Sequence, residues 1–320
     1  MKRVGMAIIG IGNWGLNYVR IFSTFPEAEI KFLVDLDGKN LKRAKAFAPD
    51  ALFLKDYRPL LSERDWEAGI VATPAPTHFP IVFDLLSAGK DVLVEKPLAL
   101  NQKEAKLLLR LAGRKRKKLM VGHILLYHPA IRYLRKLLTK KRLGKVNFIY
   151  ARRINQNSSG NGENSLYGLI PHDISAITYL LRTYPERVWA SDDKESDTIF
   201  YSFAFAGGVK MFGEAGIKRE VSASPTKIRE ITIFAEKGIA VFDDTKREAK
   251  VKIYKNSRER PFRPKIKLEE PLKLECQHFL ECIQKNREPL TNGRSGLSVL
   301  KILEGIKTSL SRGGKPVKMA

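Results

Sequence analysis

Cysteine is almost missing: there are two in 320 residues, Cys276 and Cys282. They sit six apart in a segment with helical periodicity, so they point to different faces and cannot pair there. A fold stapled by disulfides is excluded, and the cytoplasm is the expected compartment. Long apolar runs are missing as well. None approaches the ~18–20 residues that a membrane span needs, so no membrane partner is expected. The opening MKRVGMAIIGIG places two basic residues before an apolar stretch, as a secretory leader does. No small-residue cleavage site follows, and Asn13, Trp14 and Gly15 come at once, so it reads as a first strand. Histidine is sparse, with five in all. His123, His128 and His278 have no metal-ligand spacing with one another or with the cysteines, so no metal is expected. Acid is short too: 34 Asp and Glu stand against 58 Lys and Arg, a formal net charge of +24. The excess falls in scattered bursts, RKRKK at 114–118, KKR at 140–142 and KREAKVKIYKNSRERPFRPKIK at 246–267. No burst carries the interleaved aromatic platform of a single-strand binder, so they read as solvated helix ends and loops, and nucleic acid is not an expected partner.

The 43% hydrophobic fraction is that of a folded chain, and no repeat or low-complexity linker interrupts it. RVGMAIIG, AEIKFLVD, AGIVATP, DVLVEKP and KLMVGH are short Val-, Ile- and Leu-rich runs without period-two polarity, the pattern of parallel strands covered on both faces. Between them lie the amphipathic segments WGLNYVRIFST, KNLKRAKAF, HFPIVFDLLSAG and NQKEAKLLLRLAG, the last with Asn101 and Glu104 in capping-box spacing. After a further helix, HPAIRYLRKLLTKK, the pattern changes to antiparallel strands, with Gly207-Gly208 and Lys237-Gly238 at hairpin positions. In DTIFYSFAF, Ile199, Tyr201, Phe203 and Phe205 form one face, while Phe200 and Ala204 keep the other apolar. A sheet apolar on both faces predicts helices on one side and a second subunit on the other, hence a homodimer or homotetramer through this sheet. The fold class is α/β: an N-terminal Rossmann doubly wound parallel sheet over 1–122, then a C-terminal α+β domain on a mostly antiparallel open sheet over 123–320.

The first strand runs into Gly10-Ile11-Gly12-Asn13-Trp14-Gly15 and then a helix, the context that a dinucleotide fingerprint requires. Gly10 allows the tight turn, Gly12 lets the backbone approach a pyrophosphate, and Gly15 permits close helix–strand packing. Asp35 ends the second strand, where it accepts hydrogen bonds from ribose hydroxyls and repels a 2′-phosphate; NAD is therefore expected over NADP, although Lys42 and Arg43 lie close enough to soften that preference. AGIVATP leads into Thr73, Pro74 and His78, and DVLVEKP into Glu95, Lys96 and Pro97. Both ends lie on the edge of the sheet where ligands bind. His78 is either part of that edge or a first-turn residue of the next helix. An ion pair between Glu95 and Lys96 is disfavoured by alternation, which sends the two side chains to opposite faces.

Taken together, G-x-G-x-x-G, ATPAPTHF and VEKPLAL resemble the glucose–fructose oxidoreductase / inositol dehydrogenase / MocA family over essentially the whole chain. GNWGLNYVRIF, VGHILLYHPA, RRINQNS and ENSLYGLIPHDISAITYLL are similar to its UDP-N-acetyl-hexosamine 3-dehydrogenases. The resemblance implies that Lys96 lies beside the nicotinamide, that the Lys96–Pro97 peptide is cis, and that His172 of PHDIS is the second catalytic residue. Many members carry an Asp four residues before that His; here Gly168 stands there, so a Lys–Asp–His triad is absent and a role for Asp173 is open. Oxidising a secondary alcohol needs a base for the hydroxyl proton, which His172 suits with an ordinary pKa of ~6.5. Lys96 would hydrogen-bond the same oxygen and stabilise its developing charge.

The polar segment from Arg153 to Tyr167 reads as a loop over a substrate, with Arg153 and Asn155 reaching its polar groups, or equally as a connector. His123 is expected to line the pocket, and His128, before Pro129, to be structural. The implied activity is NAD-dependent oxidation of a ring hydroxyl, at C3, of a nucleotide-linked amino sugar such as UDP-N-acetylglucosamine. A free-sugar or inositol dehydrogenase and a non-catalytic NAD-binding regulator are the alternatives.

Overall fold

The computed structural model of the protein describes residues 3–156, 165–218, 227–255 and 260–319. In chain order the first half runs β1 (Val4–Ile9), α1 (Asn13–Phe22), β2 (Ala28–Val34), α2 (Gly38–Ala44), β3 (Leu52–Leu54), β4 (Ala68–Val71), α3 (His78–Ser87), β5 (Asp91–Val94), α4 (Gln102–Lys115) and β6 (Leu119–Val121). Then follow α5 (Pro129–Thr139), β7 (Val146–Gln156), α6 (Ser165–Gly168), α7 (Ile170–Leu181), β8 (Pro185–Asp193), β9 (Thr198–Phe205), β10 (Lys210–Lys218), β11 (Lys227–Ala235), β12 (Gly238–Asp243) and β13 (Val251–Tyr254). The chain closes with α8 (Pro271–Gln284), α9 (Gly293–Ser311) and β14 (Val317–Lys318). It divides into one unit of Met1–Ile124 with Glu270–Leu300 and a second of Leu125–Glu269 with Lys301–Ala320.

In the first unit six strands form a sheet in the order β3-β2-β1-β4-β5-β6, and every pairing is parallel. The five expected strands are present. The sixth, β3, has three residues, too few to show a pattern. Strand order reverses between β1 and β4, so the loops after these two strands flank the crevice where such sheets bind ligands. Val71, Val92 and Val94 of the central strands are fully buried, with Val82, Leu85 and Leu86 of α3 and Leu108 of α4 in the same core cluster. Asn101 caps α4 as expected, its side chain accepting from the Glu104 amide at 3.0 Å.

The expectation of one continuous C-terminal domain over 123–320 departs from this division, because residues 270–300 belong to the first unit. The cause is packing at long sequence range. Leu272, Cys276, Phe279 and Leu280 of α8 are buried, and α8 packs on α1, where Tyr18, Val19 and Phe22 are buried. The Val121 amide of β6 donates to the Thr291 carbonyl at 2.7 Å, and a Cβ at Gly296 would stand 2.8 Å from Val121.

In the second unit eight strands run β13-β12-β11-β7-β10-β9-β8-β14. β7 and β10 pair in parallel and the other neighbours antiparallel. Gly207 and Gly208 turn the β9–β10 hairpin with φ of 77° and 86°. Alternation separates two faces, as expected. Ile199, Tyr201, Phe203 and Phe205 are buried, whereas Phe200 is 46% exposed. His128 fastens α5 to this sheet. Its Nδ1 accepts from the Ala130 amide at 3.0 Å, which leaves the proton on Nε2, and Nε2 donates to Asp244 at 3.3 Å.

Burial alone would raise the Asp244 pKa, but hydrogen bonds from His128 and from Lys250 outweigh it and bring the carboxyl down to about 2. A carboxyl whose folded-state pKa lies below its unfolded value stabilises the fold above that unfolded value, and the contribution is lost as pH falls from ~4 through the folded value. Urea titrations of wild type and Asp244→Asn are therefore expected to differ by about 2 kcal/mol at pH 7 and to converge near pH ~2.

Candidate active site

The glycine turn of the first unit is built as its spacing implies. Gly10 has φ +86°, and a Cβ there would stand 2.8 Å from the Ala72 carbonyl. At Gly15 a Cβ would lie 1.8 Å from the Gly10 oxygen, so α1 presses directly on the turn. At Gly12, in contrast, nothing lies within 4 Å of a Cβ position. This bare space at a helix N-terminus, with exposed Asn13 and Trp14 beside it, fits a dinucleotide pyrophosphate. Asp35 is oriented by the turn it faces: its Oδ2 accepts from the Ile11 amide at 2.6 Å and its Oδ1 from the Asp37 amide at 2.8 Å. Leu36, the next residue, is 85% exposed. The glycines make a sharp prediction. Gly12→Ala is expected to leave the melting temperature unchanged and weaken NAD binding in calorimetry. Gly15→Ala is expected to lose NAD binding and also ~1–3 kcal/mol of stability, because its methyl group displaces backbone.

The second ligand-edge group follows β4 and β5. Thr77 donates to the Pro74 carbonyl at 2.7 Å, and its hydroxyl oxygen accepts from the Thr73 hydroxyl at 2.8 Å. Pro74 itself is exposed. His78 is the first residue of α3, and its ring is turned inward between backbone carbonyls. The Lys96–Pro97 peptide is cis, and Lys96 is 7% exposed. Glu95 holds this turn from beneath: its Oε1 accepts from the Tyr18 hydroxyl at 2.8 Å and its Oε2 from the Lys96 amide at 3.2 Å. His123 closes the group. It is 2% exposed, and neither ring nitrogen has a hydrogen-bond partner. Burial, helped by the Lys96 charge, brings its pKa down to about 4, so the ring is neutral at pH 7.

Behind Glu95 lies a residue that sequence reasoning missed. Glu275 of α8 is fully buried, and burial, with the charge of Glu95, pushes its pKa well up. Burial thus favours its neutral form, beside Tyr18. The available signal was an acid on the apolar stripe of LKLECQHFLECIQ, between Leu272 and Phe279.

His172, Arg153 and Asn155 belong to the second unit. His172 is half-buried in the first turn of α7. Arg153 is not in a loop. It lies in β7 at 4% exposure and donates from Nε and Nη2 to Asp173 Oδ1 at 2.9 and 2.7 Å. Tyr201 donates to Asp173 Oδ2 at 2.9 Å. The guanidinium expected to reach a substrate is instead committed to the residue next to His172. Burial opposes the Arg153 charge, but Asp173 outweighs it and raises the pKa. Asn155 is also in β7, with its Oδ1 buried and unpartnered. Residues 157–164 of the expected substrate loop lie outside the described residues.

A parallel sheet of order 3-2-1-4-5-6, with a glycine turn bare at Gly12 and an acid at the end of β2, defines a dinucleotide-binding protein of the Rossmann class. Residues 4–123 match the model of the GFO_IDH_MocA oxidoreductase family, NAD-binding Rossmann fold. Its curated relatives include a 2,7-anhydro-N-acetylneuraminate hydratase from Mediterraneibacter gnavus, 30% identical over 203 residues, 59% of this chain and 52% of that protein. A UDP-N-acetylglucosamine 3-dehydrogenase from Acidithiobacillus ferrooxidans is 32% identical over 137 residues, 42% of each chain. The chain thus spans about half the length of the curated relatives it matches. A solved structure of the Acidithiobacillus ferrooxidans enzyme matches with a TM-score of 0.84 over 98% of this chain and 99% of that one, at 22% identity, a likeness of fold.

Proposed function

We propose that the protein oxidises a ring secondary hydroxyl, at C3, of a nucleotide-linked amino sugar such as UDP-N-acetylglucosamine, with NAD as its cofactor. The observation that carries this reading is Lys96: an almost buried ammonium on the ligand edge of an NAD-type sheet, with the neutral His123 close by. The choice of sugar is supported by the UDP-N-acetylglucosamine 3-dehydrogenase that recurs among the relatives and the solved structures. Bound NAD would supply the two-electron acceptor. Gly10, Gly12 and Gly15 hold its pyrophosphate, Asp35 its ribose, and the turns at Thr73 and Glu95–Pro97 bound the nicotinamide side. Lys96 hydrogen-bonds the reacting oxygen and stabilises its charge, and His172 removes its proton. Neutral His123 offers a donor and an acceptor to the sugar.

The partner is a second copy of the chain. Phe148, Tyr150, Phe200 and Phe212 are 36–46% exposed on the outer face of the second sheet, where Phe148 also stacks on Phe234 at 4.1 Å. Light scattering is expected to give a dimer or tetramer, and a Phe200→Glu/Phe212→Glu variant a smaller species. The activity is tested by a substrate panel followed through NADH absorbance. Turnover with UDP-N-acetylglucosamine and none with inositol or glucose is expected; the reverse selects the free-sugar alternative. Activity on no sugar, with tight salt-dependent DNA binding, selects a regulator.

A further inference from the structure

His78 is only 1% exposed, yet both of its ring nitrogens are in hydrogen-bond contact with backbone oxygen. Nδ1 lies 2.7 Å from the Pro97 carbonyl and Nε2 lies 2.8 Å from the Thr73 carbonyl. A carbonyl accepts and never donates. A neutral imidazole has one N–H and one lone pair, so either tautomer would set a nitrogen lone pair against a carbonyl lone pair. Turning the ring over does not relieve the conflict. It would bring carbon to these positions, where C–H···O contacts fall at ~3.3–3.6 Å. Only the imidazolium donates from both nitrogens. We propose that His78 is a buried imidazolium that ties the end of β4 to the Lys96–Pro97 turn and is thereby a positioning residue for Lys96.

The two tethers are charge-assisted, about twice as strong as neutral hydrogen bonds. One grips Thr73, which Thr77 already orients, and the other grips the residue after Lys96. The amide groups at the start of α3 oppose the charge, and the two carbonyl dipoles offset them. Charged groups on the elements packed around α3 have bonds of their own. Asp84 of α3 accepts from Tyr57, and Lys90 donates to the Glu63 and Trp66 carbonyls. Glu95 after β5 accepts from Tyr18 and the Lys96 amide, and Glu104 of α4 from the Leu100 amide. Lys96 precedes the proline whose carbonyl the clip grips. Residue 78 thus links the two strand ends that bound the nicotinamide side of the proposed site. Its effect on turnover rests on the role proposed for Lys96; its charge state does not.

The test is a long-range 1H–15N spectrum of the full chain with 15N-labelled histidine at pH ~8, where a solvent-exposed imidazole of pKa ~6.5 is neutral. The His78 signal is identified by its loss in His78→Gln. Two protonated ring nitrogens are expected, and one pyridine-type nitrogen overturns the proposal. If His78→Gln does not fold, the signal is identified by elimination, substituting His123, His128, His172 and His278 in turn. In folded His78→Gln, kcat is expected to fall about 10- to 100-fold while NAD affinity holds, since a small misplacement of a catalytic group suffices for that loss. An unchanged kcat overturns the positioning role. If His78 is doubly protonated but Lys96→Met turns over normally, the reading of Lys96 fails instead.

Discussion

Lys96→Met is expected to lower kcat on the sugar nucleotide by about 10²–10³-fold, the usual cost of removing one donor to a developing oxyanion. Methionine is the informative replacement. It keeps an unbranched apolar stem of similar length in a position that is 7% exposed, so packing survives while the ammonium is lost. NAD affinity is expected to stay near the wild-type value, because the glycine turn and Asp35 follow β1 and β2 and do not use this side chain. Steady-state NADH absorbance and an NAD titration separate the two effects. A kcat within about threefold of wild type would mean that the reacting oxygen is not stabilised here.

Arg153→Met is expected to destabilise the second unit by about 3–5 kcal/mol, because it strands the Asp173 carboxylate in the interior. Asp173 has no exposed surface and takes two hydrogen bonds from Arg153 and one from Tyr201. Removing both charges is a different matter. The double variant Arg153→Met/Asp173→Leu is expected to recover much of the loss, since a buried pair often contributes little against apolar packing. Urea unfolding measures both. Because Asp173 follows His172 in α7, kcat of the folded double variant reports whether the clamp also serves His172. Equal losses in the single and double variants would show that the ion pair is not what Asp173 needs.

How these residues were read from sequence follows the range of the interaction. Local signals were legible. The Val- and Ile-rich runs became the parallel strands, Asn101 capped its helix, and the glycine spacing became a turn closed by the Ile11–Asp35 bond. Alternation in DTIFYSFAF separated the two faces of the second sheet correctly, with Phe200 outward and Tyr201 inward. Contacts across long sequence distance were not legible. Nothing in the periodicity of α8 says that it packs on α1, more than 240 residues earlier, so the first unit's second segment went unseen. Neighbouring arginines look alike in sequence, yet Arg152 pairs outward with Glu214 while Arg153 turns inward to Asp173. The polar run after Ile154 suggested a loop from Arg153, but strand pairing carries β7 on to Gln156. The charge of His78 is likewise a property of two carbonyls brought together by folding, one of them 19 residues away in sequence.

The most direct measurement is isotope transfer. UDP-N-acetylglucosamine deuterated at C3 is incubated with the enzyme and NAD, and the recovered NADH is weighed by mass spectrometry. One deuterium per NADH, absent with substrate deuterated at C4 and formed about 10²–10³-fold more slowly by Lys96→Met, is the expected result. Turnover without deuterium transfer, or no turnover of this nucleotide sugar while a free cyclitol or sugar is oxidised, would contradict it.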